Sequence, residues 1–175
     1  MRKSVLLCIG MVCYAQAAWS SPAPAFMASY VPDARAVGEA RLSILIWDVY
    51  DATLYAPAGR WQASCPFSLS LAYLRDLSGS EIADRSVEEI RKQGFSDEIR
   101  LAAWHKQMRD IFPDVHKGSS LTGVCMADGT TLFIRNGKEI GKIRDKEFSK
   151  RFFDIWLGER TSEPALRRQL LGGLS

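Results

Sequence analysis

The sequence predicts an α+β domain in which a largely antiparallel sheet is covered on one face by helices. Phe67, Leu69, Leu71 and Tyr73 alternate with Ser68, Ser70 and Ala72, the pattern of a strand with one bulky face and one small-residue face. Asn136-Gly137 separates two further strand-like runs, and this dipeptide is the strongest short hairpin signal because both turn positions need positive φ. Two apolar stripes recur at helical spacing: Leu101, Trp104, Met108 and Ile111, then Phe148, Phe152, Ile155 and Trp156. Strands, helices, strands and helices follow one another with hairpin-length loops, which favours one α+β domain over a parallel α/β arrangement.

The chain begins with a leader pattern over residues 1–17. Arg2 and Lys3 precede a short apolar run from Val5 to Tyr14, and Ala15-Gln16-Ala17 has the form of a cleavage site. The run is too short to span a bilayer, and no later segment approaches the required length, so no transmembrane segment is expected once the leader is removed. These features predict a periplasmic or secreted protein. Residues 18–37, with Pro22, Pro24 and Pro32, read as an extended lead-in to a domain over residues 38–172.

Within that domain, Leu42, Ile44 and Ile46 alternate with Ser43, Leu45 and Trp47 as a strand with both faces at least partly covered, and Val49 to Ala56 form the next strand. Ser80 is expected to cap a helix running to Gln93, with a capping box in Ser86-Val87-Glu88-Glu89. Ser96 caps a second helix that Pro113 closes. A sheet segment follows, with Leu121 to Met126, a turn at Asp128-Gly129, Thr131 to Arg135, and Glu139 to Ile143. Asp145 caps the aromatic-faced helix that ends at Gly158, and Ser162-Glu163-Pro164 opens the last helix.

Charge and cysteines narrow the function classes. Loss of Arg2 and Lys3 with the leader takes the formal net charge from +3 to +1, and a near-neutral mixed surface argues against nucleic acid as a partner. Cys8 and Cys13 leave with the leader, so Cys65 and Cys125 either form one disulfide or stay as two buried thiols. His105 and His116 lack convergent ligand spacing, so no metal and no cofactor are expected.

The segments Gly38 to Tyr55, Phe67 to Arg75, Trp104 to Gly118 and Asn136 to Gly158 together resemble the chalcone isomerase-like domain of exported bacterial proteins. The resemblance covers about residues 37–172. It implies an open-faced β-sandwich: an antiparallel sheet under a helical layer, with a ligand cleft between them. The plant isomerases of this superfamily use an arginine, a threonine and a tyrosine. Here Leu45 falls at about the threonine's place and no arginine matches theirs, so isomerase activity is not expected. Other members bind fatty acids without catalysis.

The residues themselves offer four ligand-binding candidates: Tyr50, Tyr73, Arg75 and Trp104. Arg75 lies two positions beyond Tyr73, which on a continuing strand puts both on the face of Leu69 and Leu71. An apolar stripe ending in a phenol and a guanidinium suits an amphipathic carboxylate such as a fatty acid. Alternatively, Arg75 leaves the strand end and meets Asp76 or water. Trp104 lines the cleft or belongs to ordinary helix packing. The leading expectation is a non-catalytic binder of a small apolar or amphipathic molecule. The alternatives are an isomerase or lyase acting on an unsaturated carbonyl compound, and an envelope protein-interaction module of unknown partner.

Overall fold

The computed structural model describes residues 23–173. The leader pattern lies outside the described residues. Six strands form one sheet in sequential order, every pairing antiparallel. They are β1 (Ala34–Ile44), β2 (Trp47–Pro57), β3 (Phe67–Tyr73), β4 (Ser120–Cys125), β5 (Thr131–Arg135) and β6 (Lys138–Ile143). Helices α1 (Gly79–Lys92) and α2 (Glu98–Ile111) are inserted between β3 and β4, and α3 (Lys146–Leu157) and α4 (Pro164–Leu170) follow β6. All four pack against one face of the sheet, which is the open-faced α+β arrangement the sequence predicts. Among the described residues, no helix is long and apolar enough to cross a membrane.

Local chemistry explains where the elements begin and end. Asn136 and Gly137 take φ of 47° and 81°, the positive values a two-residue hairpin demands. Helix α1 starts earlier than the sequence suggests. Ser78, not Ser80, is its cap: the Ser78 hydroxyl accepts from the Glu81 amide at 3.2 Å, and the Glu81 carboxylate accepts from the Ser78 amide at 2.8 Å. The capping box expected at Ser86 is absent because Ser86 lies mid-helix, donating back to the Ile82 carbonyl at 2.7 Å. Asp97, one residue past the expected Ser96, caps α2. Asp145 caps α3 through the amides of Glu147 and Phe148.

The main core lies between sheet and helices. Leu54, Leu69, Leu71 and Phe133 of the sheet meet Trp104, Met108, Phe148, Phe152 and Trp156 of the helical layer. The opposite face has its own small cluster, and this corrects the expectation that residues 18–37 are only an extended lead-in. Within that stretch, Ala25–Ser29 form a 3-10 turn and β1 already begins at Ala34. Met27 and Val31 are fully buried against Tyr55, Val124, Leu132 and Ile134. Strands β4 and β5 carry large apolar residues on both faces, so the outer face needs a cover that a bare sheet would lack.

The β1–β2 connection is a second correction. Residues 42–47 are not a strand covered on both faces. Ile44 pairs with Trp47 and the chain reverses at Leu45-Ile46. Leu45 has φ of 56°, a position where glycine is usual and a leucine costs about 1 kcal/mol.

One covalent bond and one close backbone approach close the fold. Cys65, just before β3, is joined to Cys125 at the end of β4 by a disulfide, with Cα atoms 5.4 Å apart. Gly38 of β1 lies directly under the end of α4. A Cβ there would stand 2.1 Å from the carbonyl oxygen of Gln169 and 2.6 Å from that of Leu170.

Gly38→Ala must therefore push α4 off β1 rather than displace a pliable side chain. It is expected to lower the unfolding free energy by about 2–3 kcal/mol, read by denaturant titration. Replacing Cys65 and Cys125 together by serine releases a crosslink spanning 60 residues, worth about 4 kcal/mol by loop entropy. Chemical denaturation of the variant beside the oxidised protein measures that loss.

Candidate functional site

The register of the first three strands places Leu42 opposite Tyr50 and Tyr50 opposite Tyr73, a row running across the sheet. Leu71 and Leu121 stand in the next rank on the same face. From the helical layer, Ile82, Ser86 and Glu89 present one face of α1, and Phe152, Ile155 and Trp156 present one face of α3. Between these surfaces lies a cavity of about 300 Å³. Its walls are apolar. Its rim holds the exposed residues Glu81, Arg85, Ser162 and Glu163.

The two phenols differ in what they touch. The Trp156 indole donates to the Tyr50 hydroxyl at 2.9 Å. Tyr73 meets Tyr50 edge to face, with ring centroids 6.0 Å apart. Tyr73 is 2% exposed, yet its hydroxyl has no hydrogen-bond partner among the described residues. Burial pushes Tyr50 up to about 12, with the Trp156 N–H pulling the other way and the negative charge of Glu163 and Glu89 adding to the rise. Burial, then the neighbouring Tyr50, raises Tyr73 as well. Both phenols are therefore neutral donors throughout the physiological range.

Glu89 is the buried charge of the site, only 4% exposed. It is held by Arg85 at 2.7 Å and Lys92 at 3.3 Å, and Ser162 donates to it at 2.6 Å. This carboxylate ties α1 to the segment between α3 and α4. Arg85 is shared with Glu88 at 3.1 Å. The acids and bases of α1 pair at helical spacing as on a solvated face, yet Glu89 makes its pairs while buried. A signal was present: Ser86, Glu89 and Gln93 recur at helical spacing, and all three are buried.

Of the four residues expected at the site, the structure brings Tyr50 and Tyr73 together and separates the other two. Arg75 is exposed and does not line the cavity. Strand β3 ends at Tyr73 and the chain bends at Leu74-Arg75, so the alternation that would have put Arg75 on the cavity face stops two residues too soon. Trp104 is a core residue. Its indole donates to Asp145, the cap of α3, at 3.0 Å, and its ring stacks on Phe95 at 4.9 Å. Leu45, at the expected place of a catalytic threonine, sits at the exposed β1–β2 tip and does not line the cavity.

A larger hollow of about 770 Å³ lies beside the disulfide, bounded by Trp61, Lys146, Arg151 and Arg160. It is a wide charged groove in which Lys150 and Arg151 are already paired with Asp154 and Glu147. The smaller apolar cavity is the better candidate, since enclosure and a few aimed polar groups are what a small ligand needs.

A neutral phenol favoured by folding stabilises the protein fully below its ordinary pKa of 10.0. That contribution is lost as pH rises from 10.0 through about 12. In an alkaline absorbance titration Tyr50 and Tyr73 are expected to ionise last of the five tyrosines and together with unfolding. Reversible ionisation of all five near the ordinary value with the fold intact would contradict the geometry.

Comparison with known proteins agrees with this architecture. No curated protein is significantly similar to the chain. Among solved structures, a fatty-acid binding protein of Arabidopsis thaliana matches with a TM-score of 0.63 at 15% identity, over 81% of this chain and 88% of that one. At that identity the likeness speaks for the fold. The family model described as chalcone isomerase-like matches residues 38–172, and the chain belongs to the chalcone isomerase-like family.

Proposed function

We propose that the cavity between β1–β3 and helices α1 and α3 binds a small apolar or amphipathic molecule without catalysis, the Tyr73 hydroxyl donating to an acceptor on it. One observation carries this reading: a phenol buried to 2% exposure, with no partner among the described residues, at an otherwise apolar cavity. Its oxygen opens onto the cavity rather than being sealed in the core, so it is free to donate to an acceptor on a ligand there.

The similarity to a fatty-acid binding protein supports an acyl chain as the apolar body. The rim bears on the head group. Glu81 and Glu163 stand there, with the buried Glu89 in the wall behind them; Arg85 is the one basic residue lining the cavity and is already engaged by Glu88 and Glu89, the latter also held by Lys92. Excess negative charge repels a carboxylate, so an uncharged head fits better: a protonated acid, an ester or an aldehyde. A volume of about 300 Å³ is at the lower end for small-molecule pockets, which favours short or medium chains. An exported location goes with this reading. The leader pattern supports it, and a disulfide persists best in an oxidising compartment.

Native mass spectrometry and displacement of a fluorescent acyl probe test the proposal. A medium-chain methyl ester is expected to bind at least as tightly as the matching carboxylate at neutral pH, and the acid to bind more tightly as pH falls. Tyr73→Phe should weaken the ester about tenfold, the worth of one hydrogen bond. Leu71→Trp should block the cavity. Failure of every ligand to bind, with Leu71→Trp indistinguishable from the parent, sinks the proposal.

A further inference from the structure

Four consecutive large apolar side chains are exposed at the β1–β2 tip: Ile44 at 51%, Leu45 at 93%, Ile46 at 85% and Trp47 at 61%. Only Ile99 joins them as an exposed large apolar residue among those described. Scattered apolar residues on a surface need no explanation, but a contiguous run at a protruding turn does. The charges behind the tip are turned toward one another. Arg41 bonds Asp51 at 2.6 Å and Asp48 at 3.1 Å, and the Ser43 hydroxyl donates to Asp48 at 2.6 Å. The run also continues inward. Ile44 lines the cavity, together with Leu42 and Val49 from the stem of the same hairpin.

We infer that this tip inserts into the interfacial layer of a lipid bilayer. A protein partner fits poorly, because a stable interface takes about 800 Å² from each side and four side chains at a narrow turn offer less than that. A bilayer sets no such minimum. It accepts a narrow convex apolar protrusion, and a tryptophan at its base suits the headgroup boundary. The nearby ionised groups are one arginine and two aspartates, so the attraction is hydrophobic and anionic lipid adds nothing to it. Where the cavity holds an apolar ligand, as proposed above, the tip gives that ligand a path between membrane and cavity. The docking itself does not depend on that reading.

The experiment uses the chain from Ala18, which keeps every described residue, with sedimented phosphatidylcholine vesicles and with vesicles of brominated phosphatidylcholine. The chain is expected to pellet with the vesicles, in high salt as in low, and its tryptophan emission is expected to be quenched by the brominated lipid. The double variant Leu45→Asp with Ile46→Asp should lose at least tenfold in partitioning while keeping the parental melting temperature, since both side chains are exposed. Trp47→Phe should still pellet but lose most of the quenching. Displacement of the acyl probe in vesicle-free solution should be unchanged in the double variant, which separates failure of docking from failure of ligand binding. The inference is overturned if the parent stays in the supernatant when the vesicles are sedimented, or if the double variant pellets equally well. It is also overturned if sedimentation equilibrium shows a dimer that the double variant dissolves, making a second copy the occupant of the tip.

Discussion

The aromatic ridge of α3 is the constraint on which the rest of the structure depends. Phe148, Phe152 and Trp156 recur every fourth residue and so stand on one face, their rings touching in sequence at centroid distances of 5.4 Å. Phe152 meets Phe133 of the sheet, also at 5.4 Å, and Phe148 meets Trp104 of α2 at 5.7 Å. One helix thereby fixes the distance between the sheet and the helical layer. At its end the ridge carries an indole whose N–H needs a partner once buried, and Tyr50 supplies it. That bond commits one phenol of the pair. The other, placed opposite it by strand register, is left free toward the cavity. The ligand-facing donor is thus a consequence of how the core is closed.

Polar burial near the cavity follows from the same packing. Helix α1 must face both the sheet and the segment leading into α4, and it meets the second with Glu89 rather than with an apolar residue. Three donors surround that carboxylate, which makes the pairing specific as well as costly to disrupt: removing one partner leaves a buried charge undercompensated. The acids of the rim and the wall therefore have a structural origin, and the head-group preference is imposed by the fold's own joinery.

Much of the architecture was legible because local rules and tertiary packing agree. The Asn136-Gly137 turn, the alternation in β3 and the aromatic face of α3 are each dictated by short-range geometry, and each stands where it was expected. The site was legible only in part. Tyr50 and Tyr73 lie inside regular strands, so period-two counting finds their face. Arg75 lies two residues beyond the end of β3, and no periodicity marks where the strand gives way to a bend. Residues 42–47 misled for a different reason. An apolar alternating run looks the same whether it is sandwiched or exposed, and neither Leu45 nor Ile46 is a turn residue. Met27 and Val31 were obscured by neighbouring prolines, which mark local extension and say nothing about what a strand surface far along the chain needs covered.

The longest run of departures from local rule lies at the β1–β2 tip. Leu45 holds a backbone conformation that glycine would adopt at lower cost, and its side chain gains nothing from burial, being 93% exposed. Selection for stability alone would favour glycine there and polar residues at Ile44, Ile46 and Trp47, since a hairpin tip needs no apolar surface to form. The opposite choice is made at four successive positions, and the stem below them forms one wall of the cavity. Elsewhere departures are single: Asp33 and Ala58 also hold positive φ, α4 lacks a side-chain cap, and Gln93 and Arg135 each bury an unpaired nitrogen. A run of four successive departures marks a place where a requirement other than folding has acted. The cavity with its free phenol and the apolar tip that adjoins it are one such place, and they share Ile44.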